Sequence, residues 1–197
     1  HIWSQMSDTV TLKDIEEDRK KRGEPDLRPE IETGKAQDIY LPQTPALRSI
    51  MKFVKKELDR FEKMSGADKK ANSHIPLVMY GIAKAGAVDA RLVQEDAVDN
   101  ENSKTNEAVR QTLRSLKETD SYKGTVAIFA DNYQNKKSGI NLYVDIKNKL
   151  IQKGVPENEI AIINSSLSIK KKLEIFGKVN RGEIRVILGS TFTLGTR

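Results

Sequence analysis

Residues 124–191 read GTVAIFADNYQNKKSGINLYVDIKNKLIQKGVPENEIAIINSSLSIKKKLEIFGKVNRGEIRVILGST. Three short apolar runs rich in β-branched residues stand out: Thr125–Ala130, Ile160–Ile163 and Ile184–Leu188. Two amphipathic stretches separate them. In Ile140–Lys153, the residues Tyr143, Ile146 and Leu150 recur on one helical face, and Gly154 and Pro156 end the helix. In Ser168–Arg181, the spacing of Ile169, Leu173, Phe176 and Val179 predicts an inward face, and Gly182 stops the helix. The pattern is β-α-β-α-β. Strands apolar on both faces belong to a parallel sheet covered by helices, and the crossovers should be right-handed. The expected fold is α/β: a partial parallel sheet built from three regular β-α units at the C-terminal end, with a helical N-terminal extension.

In such a sheet, ligands bind beyond the carboxyl ends of the strands. Three strand ends therefore converge: Asp131-Asn132, Asn164-Ser165-Ser166 and Gly189-Ser190-Thr191. A strand that opens into a Gly/Ser/Thr loop is expected to expose free backbone N–H groups and hydroxyls, which suit phosphate oxygens. Basic residues follow two of the ends, Lys136-Lys137 and Lys170-Lys171-Lys172. The second group sits in a first helical turn, where the helix dipole disfavours cations, so a nearby anion would make its placement natural. An ordinary strand–loop junction with solvated lysines is the plainer reading of the same residues.

Upstream, Thr44 caps a helix that has Pro45 in its first turn. Leu47, Ile50, Met51, Val54, Leu58 and Phe61 make Pro45–Met64 amphipathic. Asp38–Pro42 reads as a short strand and Ser65–Ala71 as a polar loop. Ile75–Ala87 reads as an apolar helix, Asp89–Lys104 as an acidic irregular loop, and Thr105–Thr119 as a helix striped by Val109, Leu113 and Leu116. Residues 13–37 are dense in charge, helical at first and then linker-like. Before them, Trp3, Met6, Val10 and Leu12 suggest a short docked helix. The expected division is 1–37 as a charged connector, 38–120 as a strand and helices leading inward, and 121–197 as the sheet domain.

Composition narrows the chemistry. The 197 residues contain no cysteine, which excludes disulfides, thiolate catalysis and cysteine-held metal. The two histidines, His1 and His74, cannot form a zinc site or a Ser/His/Asp set. Asp96, Asp99, Asn100 and Glu101 lack the spacing and the glycine of a calcium loop, so no metal is assigned. A net charge of +6 favours a polyanionic partner. No apolar run is long enough for a membrane span, and a cytoplasmic chain without membrane contact is expected. No G-x-x-x-x-G-K-[ST] loop occurs, and no Asp-Glu pair follows an apolar strand to hold magnesium.

The run GTVAIFADN, then NLYVDIKNKLIQKGVPENEIAIIN, then KKKLEIFGKVNRGEIRVILGSTFTLGT resembles the second RecA-like domain of Swi/Snf-type superfamily 2 helicases. The likeness is to the helicase part of large phage, plasmid and conjugative-element proteins that often also carry an N6-adenine DNA methylase. Leu150, Gly154, Val155, Pro156, Glu159, Ile160, Ala161, Phe176, Val179, Gly182, Arg185, Val186, Gly189, Ser190, Thr191, Gly195 and Thr196 fit that pattern. Asp89, Arg91, Leu92, Asn102, Ser103 and Lys104 fit the segment preceding it.

The resemblance implies a partial RecA-like sheet in which Phe129-Ala130-Asp131 corresponds to motif IV and Gly189–Thr196 to motif V. It implies nucleic-acid contact by Ser190, Thr191, Asp131, Asn132, Lys170 and Lys171. Gly195, Thr196 and Lys104 would lie at an ATP cleft shared with a first RecA-like lobe. ATP and magnesium would serve the parent protein, and none is expected on this chain. The family has Gly where Arg197 stands, and the chain stops before motif VI with its arginine finger, so no ATP hydrolysis is expected of it alone. The missing last strand and helix of the lobe would leave an exposed sheet edge. Two other readings compete: a flavodoxin-like or receiver-like module that binds a protein, and a small nucleotide-binding domain unrelated to helicases. A receiver needs an acidic pair after its first strand, and Asp131 alone does not supply one.

Overall fold

The computed structural model describes residues 12–24, 35–131, 134–135 and 139–194. The pattern around Trp3, the linker at 25–34, Asn132, Lys136, Lys137, Gly195, Thr196 and Arg197 lie outside the described residues. The chain divides into two units, His1–Tyr40 and Leu41–Arg197. In the first, helix α1 (Leu12–Lys21) ends in Arg19, Lys20 and Lys21, where the helix dipole favours cations. Arg22 then pairs with Asp18 at 2.8 Å.

The second unit begins with a helical pair. Helix α2 (Pro45–Glu62) starts at Thr44, whose hydroxyl accepts from Leu47 N, with Pro45 pre-set in the first turn. Helix α3 (Gly66–Ala71) is short and capped by Ser65. Helix α4 (Ile75–Val88) packs on α2 through Ile75 and Met79 against Ile50 and Val54. A 3₁₀ turn at Ala90–Leu92 follows, then helix α5 (Lys104–Glu118), capped by Ser103.

The fold is α/β, built on a three-stranded parallel sheet. The strands are β1 (Val126–Phe129), β4 (Ile160–Ile163) and β5 (Val186–Gly189), and β5 lies in the middle, paired with β1 on one side and β4 on the other. Between β1 and β4 come a small antiparallel pair, β2 (Gln134–Asn135) and β3 (Ile140–Asn141), and helix α6 (Leu142–Gln152). Helix α7 (Ile169–Asn180) joins β4 to β5, and a single helical turn, α8 (Thr191–Leu194), follows β5.

The path from β1 to β4 skips one strand position, and the path from β4 to β5 comes back. With right-handed crossovers, reversing direction puts the two connecting helices on opposite faces. The packing follows that rule. The front face carries Val126, Ile128, Ile160, Ile162, Val186 and Leu188, closed over by α5 and α6 through Val109, Leu116, Tyr143, Ile146 and Leu150. The back face carries Ala161, Ile163 and Ile187, covered by Ile175, Phe176 and Val179 of α7 and by Leu194 of α8. Gly154, at φ +94°, turns the chain out of α6 so that Val155 N can reach Leu150 O.

Several sequence expectations change. Asp38–Pro42 forms no strand: no described residue pairs with it, Pro42 lacks an N–H, and Tyr40 is 86% exposed. Ser65–Ala71 is a capped helical turn instead of a loop. Asp89–Lys104 contains the 3₁₀ turn, and Lys104 already belongs to α5. Ile140 and Asn141 are a strand, and the helix begins at Leu142. Ile169 and Leu173 do not point inward: they are 78% and 66% exposed, because α7 meets the sheet only through its second half. Nor is every strand covered on both faces. In β1 the odd-numbered side chains are exposed, and Phe129 is 54% exposed.

Candidate functional site

Adjacent parallel strands whose outgoing connections leave on opposite faces open a crevice at their carboxyl ends. Here the neighbours are β1 and β5. The chain leaves β1 for α6 on the front, and leaves β5 for α8 on the back. Ala130 N donates to Gly189 O at 3.0 Å, extending the pairing by one residue before the two chains part. Asp131 and Thr191 then face each other across the gap.

They are bonded. Thr191 N donates to Asp131 Oδ1 at 2.8 Å and Thr191 Oγ1 to Asp131 Oδ2 at 3.2 Å. The carboxylate thus sits on the first N–H of α8 and on the hydroxyl of the same residue, as a capping side chain does at a helix start. Ser190 N donates to Thr193 Oγ1 at 2.9 Å, and Ser190 Oγ accepts from Thr193 N at 3.1 Å. Thr193 Oγ1 donates to Ile163 O at 3.0 Å, which ties α8 to the end of β4. Gly189 is required by this closeness: a Cβ there would lie 2.8 Å from Ile163 O and 2.7 Å from Leu194 Cγ.

The expectation of free donors at Ser190 and Thr191 is therefore corrected. Both backbone N–H groups have partners within the fold. Asp131 is exposed, however, so its hold on Thr191 lies open to solvent.

The same edge carries the start of α7. Ser168 Oγ caps it by accepting from Lys171 N at 3.3 Å. Lys170 and Lys171 are exposed in its first turn. Neither has an ion pair among the described residues, and their charge stays directed to solvent. Lys104 lies elsewhere, at the first position of α5. Since α5 runs antiparallel to β1, its start reaches the carboxyl end of that strand, and Lys104 shares the rim of a front-face cleft with Asp131. Asn132, Gly195 and Thr196 lie outside the described residues.

Two features behind the site escaped the sequence reading. Lys84 also lines that cleft. It is the only charged residue in IPLVMYGIAKAGAV, which was the available signal. Arg91, matched above only by pattern, forms a fork on Asp89 at 2.9 and 2.8 Å, and its Nη2 reaches Asp145 at 3.0 Å. Lys149 joins Asp99 at 2.6 Å and Asp145 at 2.8 Å. This cluster locks the turn after α4 onto α6. Burial alone would push the Asp89 carboxyl up, but the Arg91 guanidinium and backbone N–H outweigh it and hold Asp89 below the usual carboxylate range. Among the described residues, no His/Cys/Asp/Glu group could hold a metal ion, and no helix is long and apolar enough to cross a membrane. No family model, no curated protein and no solved structure matches the chain.

Proposed function

We propose that this chain is the second RecA-like lobe of an ATP-dependent DNA helicase or translocase, and that the carboxyl edge of its sheet grips the nucleic-acid backbone. The observation that carries the reading is the meeting of three polar strand ends at one edge, beside a helix start whose exposed Lys170 and Lys171 have no ion pair among the described residues. In this reading a backbone phosphate displaces the exposed Asp131 carboxylate from Thr191, and the lysines supply the attraction. Ser190 positions the turn, and Asn132 extends the contact. Lys104, Gly195 and Thr196 face the first lobe across its ATP. Contacts limited to the backbone give affinity without sequence preference.

The test is fluorescence anisotropy with labelled duplexes of two unrelated sequences, over a salt series, alongside a phosphate-release assay with ATP and magnesium. The expected result is binding in about the 1–100 µM range at low salt, equal for the two sequences and falling steeply with salt. No ATP turnover is expected from a chain without a phosphate loop. Absence of binding at low salt, or sequence-selective binding insensitive to salt, contradicts the reading.

A further inference from the structure

The front-face cleft beside the end of β1 has a volume of about 250 Å³. Its floor is made by Ile128, Leu142 and Ile146, of which Leu142 is 1% and Ile146 3% exposed, so it reaches the hydrophobic core. Ala108 of α5 forms part of the wall, and Lys84 and Lys104 stand with it in the lining. An apolar cavity of about 150 Å³ takes a benzene ring. This cleft has room for one ring and a polar head. Lys84 and Lys104 have no ion pair among the described residues. Asp131 also lines the cleft, but its carboxylate is held by Thr191. Lys104 occupies the first position of a fifteen-residue helix, where the dipole opposes a cation and welcomes an anion.

We propose that this cleft binds a small organic anion. A carboxylate or phosphate-ester head sits between Lys84 and Lys104, and a compact apolar body of about one ring rests on Ile128, Leu142 and Ile146. The two parts act together. The lysines alone give weak, salt-screened attraction, and the floor alone gives unselective apolar binding. The site lies on the front of β1 and shares Lys104 and Asp131 with the carboxyl edge described above, but its apolar floor is its own, and it stands whether or not the chain binds DNA.

The experiment is an amide NMR titration of the full chain with four probes: benzoate, phenyl phosphate, benzyl alcohol and inorganic phosphate. Benzoate and phenyl phosphate are expected to move the amides of Ile128, Leu142 and Ile146, and whichever binds tighter identifies the preferred head. Benzyl alcohol and inorganic phosphate are expected to bind at least tenfold more weakly. Lys104→Glu, a change at an exposed position, should weaken benzoate at least tenfold with the spectrum otherwise intact. Ala108→Phe should block the ring while leaving the attraction for inorganic phosphate unchanged. Inorganic phosphate binding as tightly as phenyl phosphate would overturn the proposal. So would benzyl alcohol matching benzoate, or binding of benzoate unaffected by Lys104→Glu.

Discussion

The two ends of β5 are built from opposite materials. Just before the strand, Arg185 is 6% exposed. Its guanidinium donates to Leu116 O and Asp120 Oδ1, both at 2.7 Å, and to Gly124 O at 3.3 Å. Those carbonyls belong to the end of α5 and the turn into β1, so one cation satisfies a helix terminus and fixes the sheet beneath it. Just after the strand, Ser190, Thr191 and Asp131 make comparable bonds, but Asp131 and Thr191 are exposed. The first end is closed around a buried guanidinium, whose carboxylate partner Asp120 stands at the surface. The second is a polar seam that lies open to solvent. Parallel sheets commonly divide labour in this way, with scaffold at one edge and chemistry at the other.

The largest expected effect lies at the closed end. Arg185→Leu should cost about 3 kcal/mol in urea unfolding, because buried carbonyls lose their donor, while the salt dependence of DNA binding stays unchanged. Asp89→Asn should cost about 2 kcal/mol at pH 7 by loosening the Arg91 fork. Since the folded Asp89 carboxyl is held below its unfolded value, its stabilisation is present above that value and is lost as pH falls through the folded one. The gap between wild type and Asp89→Asn should therefore close in acid; a gap that persists there breaks this account of the Arg91 cluster. At the open end, Gly189→Ala should cost about 1–2 kcal/mol, since the new methyl meets the Ile163 carbonyl, and hydrogen exchange should quicken at Thr193 and Leu194. Thr191→Val should be smallest, about 0.5 kcal/mol or less, because its bond is solvent-exposed. If Thr191→Val destabilised as much as Arg185→Leu, the contrast between the ends would fail.

Much of the fold was legible where local signals agree. Pro45–Glu62 carries a cap, a first-turn proline and a sustained apolar stripe, and each points to the same helix. The alternation of apolar runs with amphipathic stretches gave the parallel sheet. Strand order was not legible, because placing β5 between β1 and β4 depends on contacts far apart in sequence. The outward turn of Ile169 and Leu173 was hidden for a related reason. Their spacing matches that of Phe176, and only the width of the sheet decides which part of the row finds strands beneath it. Gly66–Ala71 did carry a signal: Ser65 and Asp68 form the Ser-x-x-acid pattern of a capped start, with Ser65 Oγ at 2.7 Å from Asp68 Oδ2. At the site, the sequence brought Asp131 and Thr191 to one edge but did not reveal that they bond to each other. Arg185 and Lys84 were each visible as a lone charge in an apolar run.

The central claim is that the open edge holds nucleic-acid phosphates through the start of α7. Its most direct test is the salt dependence of duplex binding for wild type and for Lys170→Glu/Lys171→Glu, both folded as judged by unfolding midpoint. The account predicts that the variant loses about two units of slope in log affinity against log salt, and at least tenfold in affinity at low salt. Identical slopes and affinities for the two proteins would contradict it.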